Sequence, residues 1–441
     1  MEAHQIKGVV NLFQEKINKL LMQNQIIDYF IKLTKIPHCS KDANRLLEFL
    51  KEFAISRGYS VEVDSAKNIL IKKGKPKLAL QAHYDMVCMG KAPNIKTYIK
   101  DGWLQAKESS LGADNGIAIA IMMLLMDIGK ELEFLFTSDE EIGLIGASAL
   151  DFRLDSSAML NIDFEDEAEV CIGCAGGADL VAEFSVEEVK PLKYNYKVTV
   201  SNLQGGHSGV DIDKGIPNAI KVLANYLKDK RVFISSFKGG ERRNSIPANA
   251  TAFISSLDIL ENRDMVKVEQ IDNELIVYNS DRFINLLNEF KDGVNSFNSE
   301  FNLPESSINL AIIEFKNGNI TIDATARAMS DSSLDKICKE NIELFSRYGF
   351  KVYSEFKYPA WKPQTNSFTN TISKSMKKVF GKSEYKAIHA GLECGVISKK
   401  YPNMKFASIG PTIIYPHSIN ERVKIDSIGK TFNVILDLLT E

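Results

Sequence analysis

The stretch LFTSDEEIGLIG, Leu135 to Gly146, decides how the whole chain is read. An apolar run of strand character ends abruptly in three adjacent acids, Asp139, Glu140 and Glu141. Like charges crowded at the end of a buried strand repel one another. They persist if water solvates them, in which case Asp139 is a simple helix N-cap, or if a cation sits among them.

Working outward, short apolar runs alternate with helical ones. NILIKKG and KLALQAHYD read as strands, and NGIAIAIMMLLMDIG as a helix that ends at Gly129. ELEFLFTSDE is the next strand, GLIGASALD a short helix and SAMLNIDFED another strand. Such alternation predicts an α/β layer on a largely parallel sheet. Two helical stretches precede it, one over the first 35 residues and one near Asp42 to Ser56. Near Lys193 the style changes. YNYKVTVSNLQGG alternates apolar and polar residues as a half-solvated strand does. Helices and further alternating strands follow as far as KVYSEFKYP, after which the first style returns. The expected organisation is an α/β catalytic domain over 1–192 and 359–441, interrupted by an inserted α+β lid domain over 193–358.

Composition narrows the class. Hydrophobic residues are 44% and charged residues 25% of the 441, the balance of a soluble globular protein. A net charge of −3 gives no reason to expect nucleic acid or an anionic membrane as partner. The apolar run IAIAIMMLLM is too short to span a bilayer and reads as a buried helix. The N-terminus lacks signal-peptide features. The six cysteines are scattered and form no evident disulfide framework, so a reducing, cytoplasmic setting is expected. Cys171 and Cys174 form a C-x-x-C without the second pair that a structural zinc site needs, so packing is the preferred reading over metal or redox use.

The chemistry-bearing residues gather at strand ends. His83 ends one strand and Asp85 follows it. Glu140 and Glu141 end another, and Asp163 a third. Asp114 directly precedes the buried helix, and His417 lies just beyond the strand KFASIG. In open parallel sheets the carboxyl ends of the strands share one rim, where ligands bind. Singly, each residue has a bland explanation as a solvated strand end. Together they would repel strongly unless neutralised, and two divalent cations would do that. Imidazole with carboxylate suits zinc, with cobalt or manganese as alternatives.

The motifs HYD, GADNG, DEEIG, NID, GGHSG and a late PHS resemble those of the dizinc peptidases related to carboxypeptidase G and aminoacylase. HAGLECG, with GADNGI and GGHSGVDI, is similar to the aminoacyl-histidine dipeptidases among them. The resemblance implies that His83, Asp114 and Asp163 hold one metal, and that Asp114, Glu141 and His417 hold the other. It implies that Asp85 accepts a hydrogen bond from the second ring nitrogen of His83 and that Glu140 is the general base. His207 of the lid would stabilise the tetrahedral oxyanion, in its own chain or across a homodimer. An arginine of Arg242 and Arg243, with Asn244, would meet the substrate's carboxylate, and Glu393 its free amine. The expected activity is hydrolysis of dipeptides with a free amino terminus. A tripeptidase or an N-acyl amino acid deacylase built on the same site is the alternative. A thiol hydrolase using Cys394 and His389, or a peptide-binding relative without catalysis, are more distant ones.

Overall fold

The computed structural model describes residues 2–440, with side chains from residue 17 onward. The chain divides into two compact units. One comprises 1–172, 363–387 and 392–441, and the other 173–362 with 388–391.

The first unit is organised around an eight-stranded sheet. Its order is Ser60–Val63, Ile69–Lys72, Glu133–Thr137, Leu78–His83, Ala158–Asn161, Lys405–Ser408, Glu169–Cys174 and Glu384–Ile388. The four central strands run parallel, from Glu133–Thr137 to Lys405–Ser408. Antiparallel partners join on either side. The centre is parallel because its connections are helical crossovers, as the alternating pattern predicts. The helix Ala113–Asp127 is one of them, and Ile117 to Met126 are all buried. A helix that is apolar all round belongs in the core, and this one packs between the strand Leu78–His83 and the helix Glu2–Leu33. A small second sheet, absent from the sequence reading, joins Thr97–Lys100, Trp103–Ala106, Arg422–Lys424 and Ile413–Ile414.

The second unit is an antiparallel sheet of eleven strands with the helices Ala219–Leu227, Asp281–Glu289 and Asp331–Arg347 packed on it. Its start, at Gly173, lies earlier than the 193 expected from the change of pattern. The reason is pairing. Gly176–Ser185 lies between Asn319–Ala328 and Lys351–Tyr358 in register, so a strand that follows the first domain in sequence belongs to the second sheet.

One close approach sets the position of Asp163. Ile409 donates its N–H to Asn161 O (3.1 Å), and Phe164 donates to Ile409 O (3.3 Å). A Cβ at Gly410 would overlap the Phe164 carbonyl oxygen. Backbone cannot yield as a flexible side chain does, so Gly410→Ala is expected to cost about 1–3 kcal/mol of stability, the range for overpacking. Urea denaturation measures it, and an unchanged midpoint would show that residues 409–410 are not seated against 161–164.

Candidate metal centre

Every expected ligand converges within the first unit. His83 stands at the end of its strand, 1% exposed, with Nε2 3.0 Å from Asp114 Oδ1 and 3.4 Å from Asp163 Oδ1. Asp114 Oδ2 lies 3.0 Å from His417 Nε2, which is 2.9 Å from Glu141 Oε2. One carboxylate thus faces both imidazoles. Three groups bring their ligand atoms within 4.8 Å of one another: His83, Asp114 and Asp163; Asp114, Glu141 and His417; and His83, Glu140 and Glu141. The first two share Asp114.

Local backbone explains the convergence. Asp114 carries non-helical torsions (φ −83°, ψ 103°) inside the first turn of its helix, so its side chain turns toward the sheet rim. The DEEIG segment reverses direction through Asp139 at φ 49°, and Glu140 O accepts from both Gly143 and Leu144 N–H. Asp139 is not the helix cap considered above: its Oδ1 accepts the Lys41 N–H at 2.6 Å, tying two loops together.

Asp85 acts differently from the expectation. The His83 Nδ1–H donates to the main-chain carbonyl of Asp85 at 3.0 Å, while the Asp85 carboxylate lies 3.6 Å away, beyond hydrogen-bond length. That carboxylate instead accepts from Ser40 Oγ (2.7 Å), Glu140 N (2.9 Å) and Glu141 N (3.4 Å). Asp85 therefore sets the acidic turn, and its backbone sets the His83 tautomer, leaving Nε2 to face the carboxylates.

The electrostatics fit a cation-binding site. Burial pushes the Glu140 carboxyl well above its usual range, and the charges of Glu141 and Asp163 push further, against the pull of His83. Burial likewise raises Glu141 and Asp163. His417 is pushed up to about 12 although burial opposes it, because Glu141 and Asp114 surround it. Burial also opposes the charge of Asp114, but its bonds to His417 and His83 hold that carboxyl well below the normal range. Glu141 Oε1 is buried with no hydrogen-bond partner. Excess carboxylate, an orphaned carboxylate oxygen and two imidazole nitrogens aimed inward form a donor set of the hard-to-borderline kind that divalent ions take.

The other expected residues divide. Glu393 is fully buried and does not face solvent. Its Oε2 accepts from Gln81 Nε2 (2.5 Å) and Thr137 Oγ1 (2.7 Å). Burial first, and then Asp163, push it up to about 7 against the lowering by His83 and its two donors. Its other oxygen, Oε1, is buried with no hydrogen-bond partner. In the second unit, Arg243 is already engaged by Asp323 (2.9 Å), Glu355 (3.0 Å) and Asp179 (3.5 Å), so it is not available to a substrate carboxylate. Arg242 and Asn244 are exposed on the same turn, and Asn244 O accepts the Ser208 N–H at 2.8 Å. His207 Nδ1 lies 3.1 Å from Gly209 N and 3.3 Å from Val210 N. With two amide donors on Nδ1, the neutral ring carries its proton on Nε2.

A residue the sequence reading missed is Arg327. It is 6% exposed, donates to Tyr358 Oη (2.9 Å) and Ser208 Oγ (3.5 Å), and leaves Nε without a partner. No ion pair reaches it among the described residues. The sequence signal was a lone arginine in the strand stretch DATARAM, where Ala324, Ala326 and Ala328 are buried. His389 donates to or accepts from Ser307 Oγ (2.7 Å), and burial, then Arg327, push its imidazole down to about 3. A neutral, weakly basic imidazole of this kind does not favour the thiol-hydrolase reading. Cys171, Cys174 and Cys394 are buried. Cys39 and Cys88, read as unpaired in the sequence, form a disulfide: the segment of Cys39 bridges to Met86, which brings two cysteines 49 positions apart together.

Residues 79–441 match the model of peptidase family M20/M25/M40. The chain is 33% identical to the cytosol non-specific dipeptidase of Escherichia coli (strain K12), covering 94% of this chain and 96% of that protein. Among solved structures it is similar to the aminoacylhistidine dipeptidase of Vibrio alginolyticus, at 29% identity and a TM-score of 0.76 over 94% of this chain and 96% of that one. A tripeptidase of Staphylococcus aureus shares the fold, with 18% identity and a TM-score of 0.60 over 95% of this chain and 98% of that one.

Proposed function

This chain belongs to peptidase family M20/M25/M40, and we propose that it is a metal-dependent dipeptidase holding two divalent ions, zinc first among the candidates. The carrying observation is the Asp114 carboxylate, set between His83 and His417 with Asp163 on one side and Glu141 on the other. In this reading His83, Asp114 and Asp163 hold one ion and Asp114, Glu141 and His417 the other. When bound, the pair supplies Lewis acidity and makes a water acidic enough to react near neutral pH. No helix of the described residues is long and apolar enough to cross a membrane. We place the enzyme in the cytoplasm, as the name of the Escherichia coli relative indicates for that protein.

The chain's own residues then divide the work. Glu140 takes the proton of the attacking water and returns it to the leaving nitrogen. Its turn is held by Asp85, so the carboxylate needs no reorganisation during the reaction. His207, with the proton on Nε2, donates to the oxyanion. Arg327 is a buried guanidinium that no ion pair reaches among the described residues, and a buried cation gains most from an anionic partner. The free amine is favoured by the acidity of the rim, where Asp85, Asp114, Glu140, Glu141 and Asp163 gather. An aminoacyl-histidine preference follows the similarity to the Vibrio alginolyticus enzyme, and a homodimer remains part of the proposal.

Elemental analysis of chelator-free protein is expected to give two divalent ions per chain, and chelation to abolish turnover that iodoacetamide leaves intact. Glu140→Gln keeps the ions and loses about 10²–10⁴-fold in kcat, whereas Glu141→Ala loses metal. Equal metal content in the two variants would refute this division of roles. For the substrate ends, N-acetylation and C-amidation of a good dipeptide should each reduce kcat/KM. His207→Ala should keep metal and lower kcat by about 10²–10³-fold, the effect of one oxyanion donor. Mixed with Glu140→Gln under proven subunit exchange, recovery of activity would place His207 in the partner's site, and no recovery in its own.

A further inference from the structure

Glu421 lies four residues beyond His417 and is 3% exposed. Its carboxylate accepts four consecutive main-chain N–H groups. Oε2 takes Leu111 (2.7 Å) and Gly112 (3.0 Å), and Oε1 takes Ala113 (2.7 Å) and Asp114 (3.2 Å). These amides converge because Gly112 has φ 71°, a left-handed torsion that bends the chain into a concave row of donors. Those of Ala113 and Asp114 are also the first donors of the helix Ala113–Asp127, which have no partner within the helix. Gly112 offers them no side-chain cap. The cap comes instead from a residue some three hundred positions away.

The same two segments are tied a second time. Arg422, Val423 and Lys424 pair with Gln105, Leu104 and Trp103 in the small sheet. Glu421 thus begins the strand that follows the His417 loop, and its partner strand leads into the Asp114 loop. Its own N–H donates to Ser418 O (3.3 Å), which keeps the span from His417 short and folded.

We propose that Glu421 is a positioning residue that locks the amide row Leu111–Asp114 to the His417 loop, and so fixes the shared Asp114 carboxylate between the two ion sites. The proposal rests on the two-ion reading above. A carboxylate suits the position because four N–H dipoles and a helix N-terminus point at one spot. Glutamine would place an NH₂ against two of the donors and keep an acceptor for the others. The loop carrying Asp114 would loosen, although every ligand residue would still be present.

The test uses metal-free, full-length wild type and Glu421→Gln, each titrated calorimetrically with Zn²⁺ at a temperature where circular dichroism shows both folded. Wild type is expected to take two ions and Glu421→Gln to bind them about 10–100-fold more weakly, the usual effect of losing an outer support of a metal ligand. Hydrogen exchange adds a measurement on wild type alone: the amides of Leu111 to Asp114 should be protected without metal, and in the variant exposed. If wild type binds two ions and the folded variant binds them equally well, the Glu421 proposal fails while the two-ion reading stands. If wild type takes no divalent ion, both fail. Rapid exchange of those four amides in wild type overturns the lock even if the variant does not fold.

Discussion

Mutual repulsion among carboxylates at one end of four parallel strands is the constraint that the rest of the catalytic unit answers. Few of these acids rely on water alone. Asp85 takes a hydroxyl and two amides, Asp163 takes the Asn115 amide, Glu393 takes Gln81 and Thr137, and Glu421 takes four backbone donors. Each bond to a charged acceptor is worth more than one between neutral groups, and each fixes a direction. Beneath the rim a fully buried polar chain runs across adjacent strands, from Glu393 through Gln81 and Asn161 to Ser408. Residues that would be awkward in an ordinary core here hold neighbouring strands in register below the cluster.

Environment sorts chemically identical groups into different tasks. Asp114, clasped by two imidazoles, is the strongest acid of the set, suited to remain ionised as a shared ligand. Glu140 shares the same crowded rim, but burial and like charge raise its proton affinity. The adjacent acids Glu140 and Glu141 are both raised by burial and both held by their N–H groups to Asp85, but only Glu141 is paired with His417.

The parallel core was legible because its strands are short, mostly apolar runs that stop sharply at or just before His83, Glu140 and Asp163. The ligand cluster was legible for the same reason: strand ends in one layer share one rim. What the sequence concealed depends on partners distant along the chain. Glu421 looks like an ordinary surface acid, since its donors are main-chain N–H groups that no side-chain pattern announces. Arg243 and Arg327 look equivalent until three carboxylates are seen to claim one of them and none the other. Glu393 sits in a suggestive motif, but its helix turns it inward. Gly176–Ser185 reads as part of the first domain because sequence order says nothing of which sheet a strand joins.

The strand Lys405–Ser408 lies between Ala158–Asn161 and Glu169–Cys174, in the middle of the sheet rather than at an edge. Translation therefore delivers an interior piece well after the strands that flank it. A nascent chain ending at residue 400 already carries His83, Asp114, Glu141 and Asp163, but an unfilled lane beside Ala158–Asn161 exposes strand edges to whatever is nearby. It also lacks His417 and Glu421. The segment that fills the lane runs on within ten residues to His417, so the sheet and the ring of candidate ligands are completed by one stretch of chain.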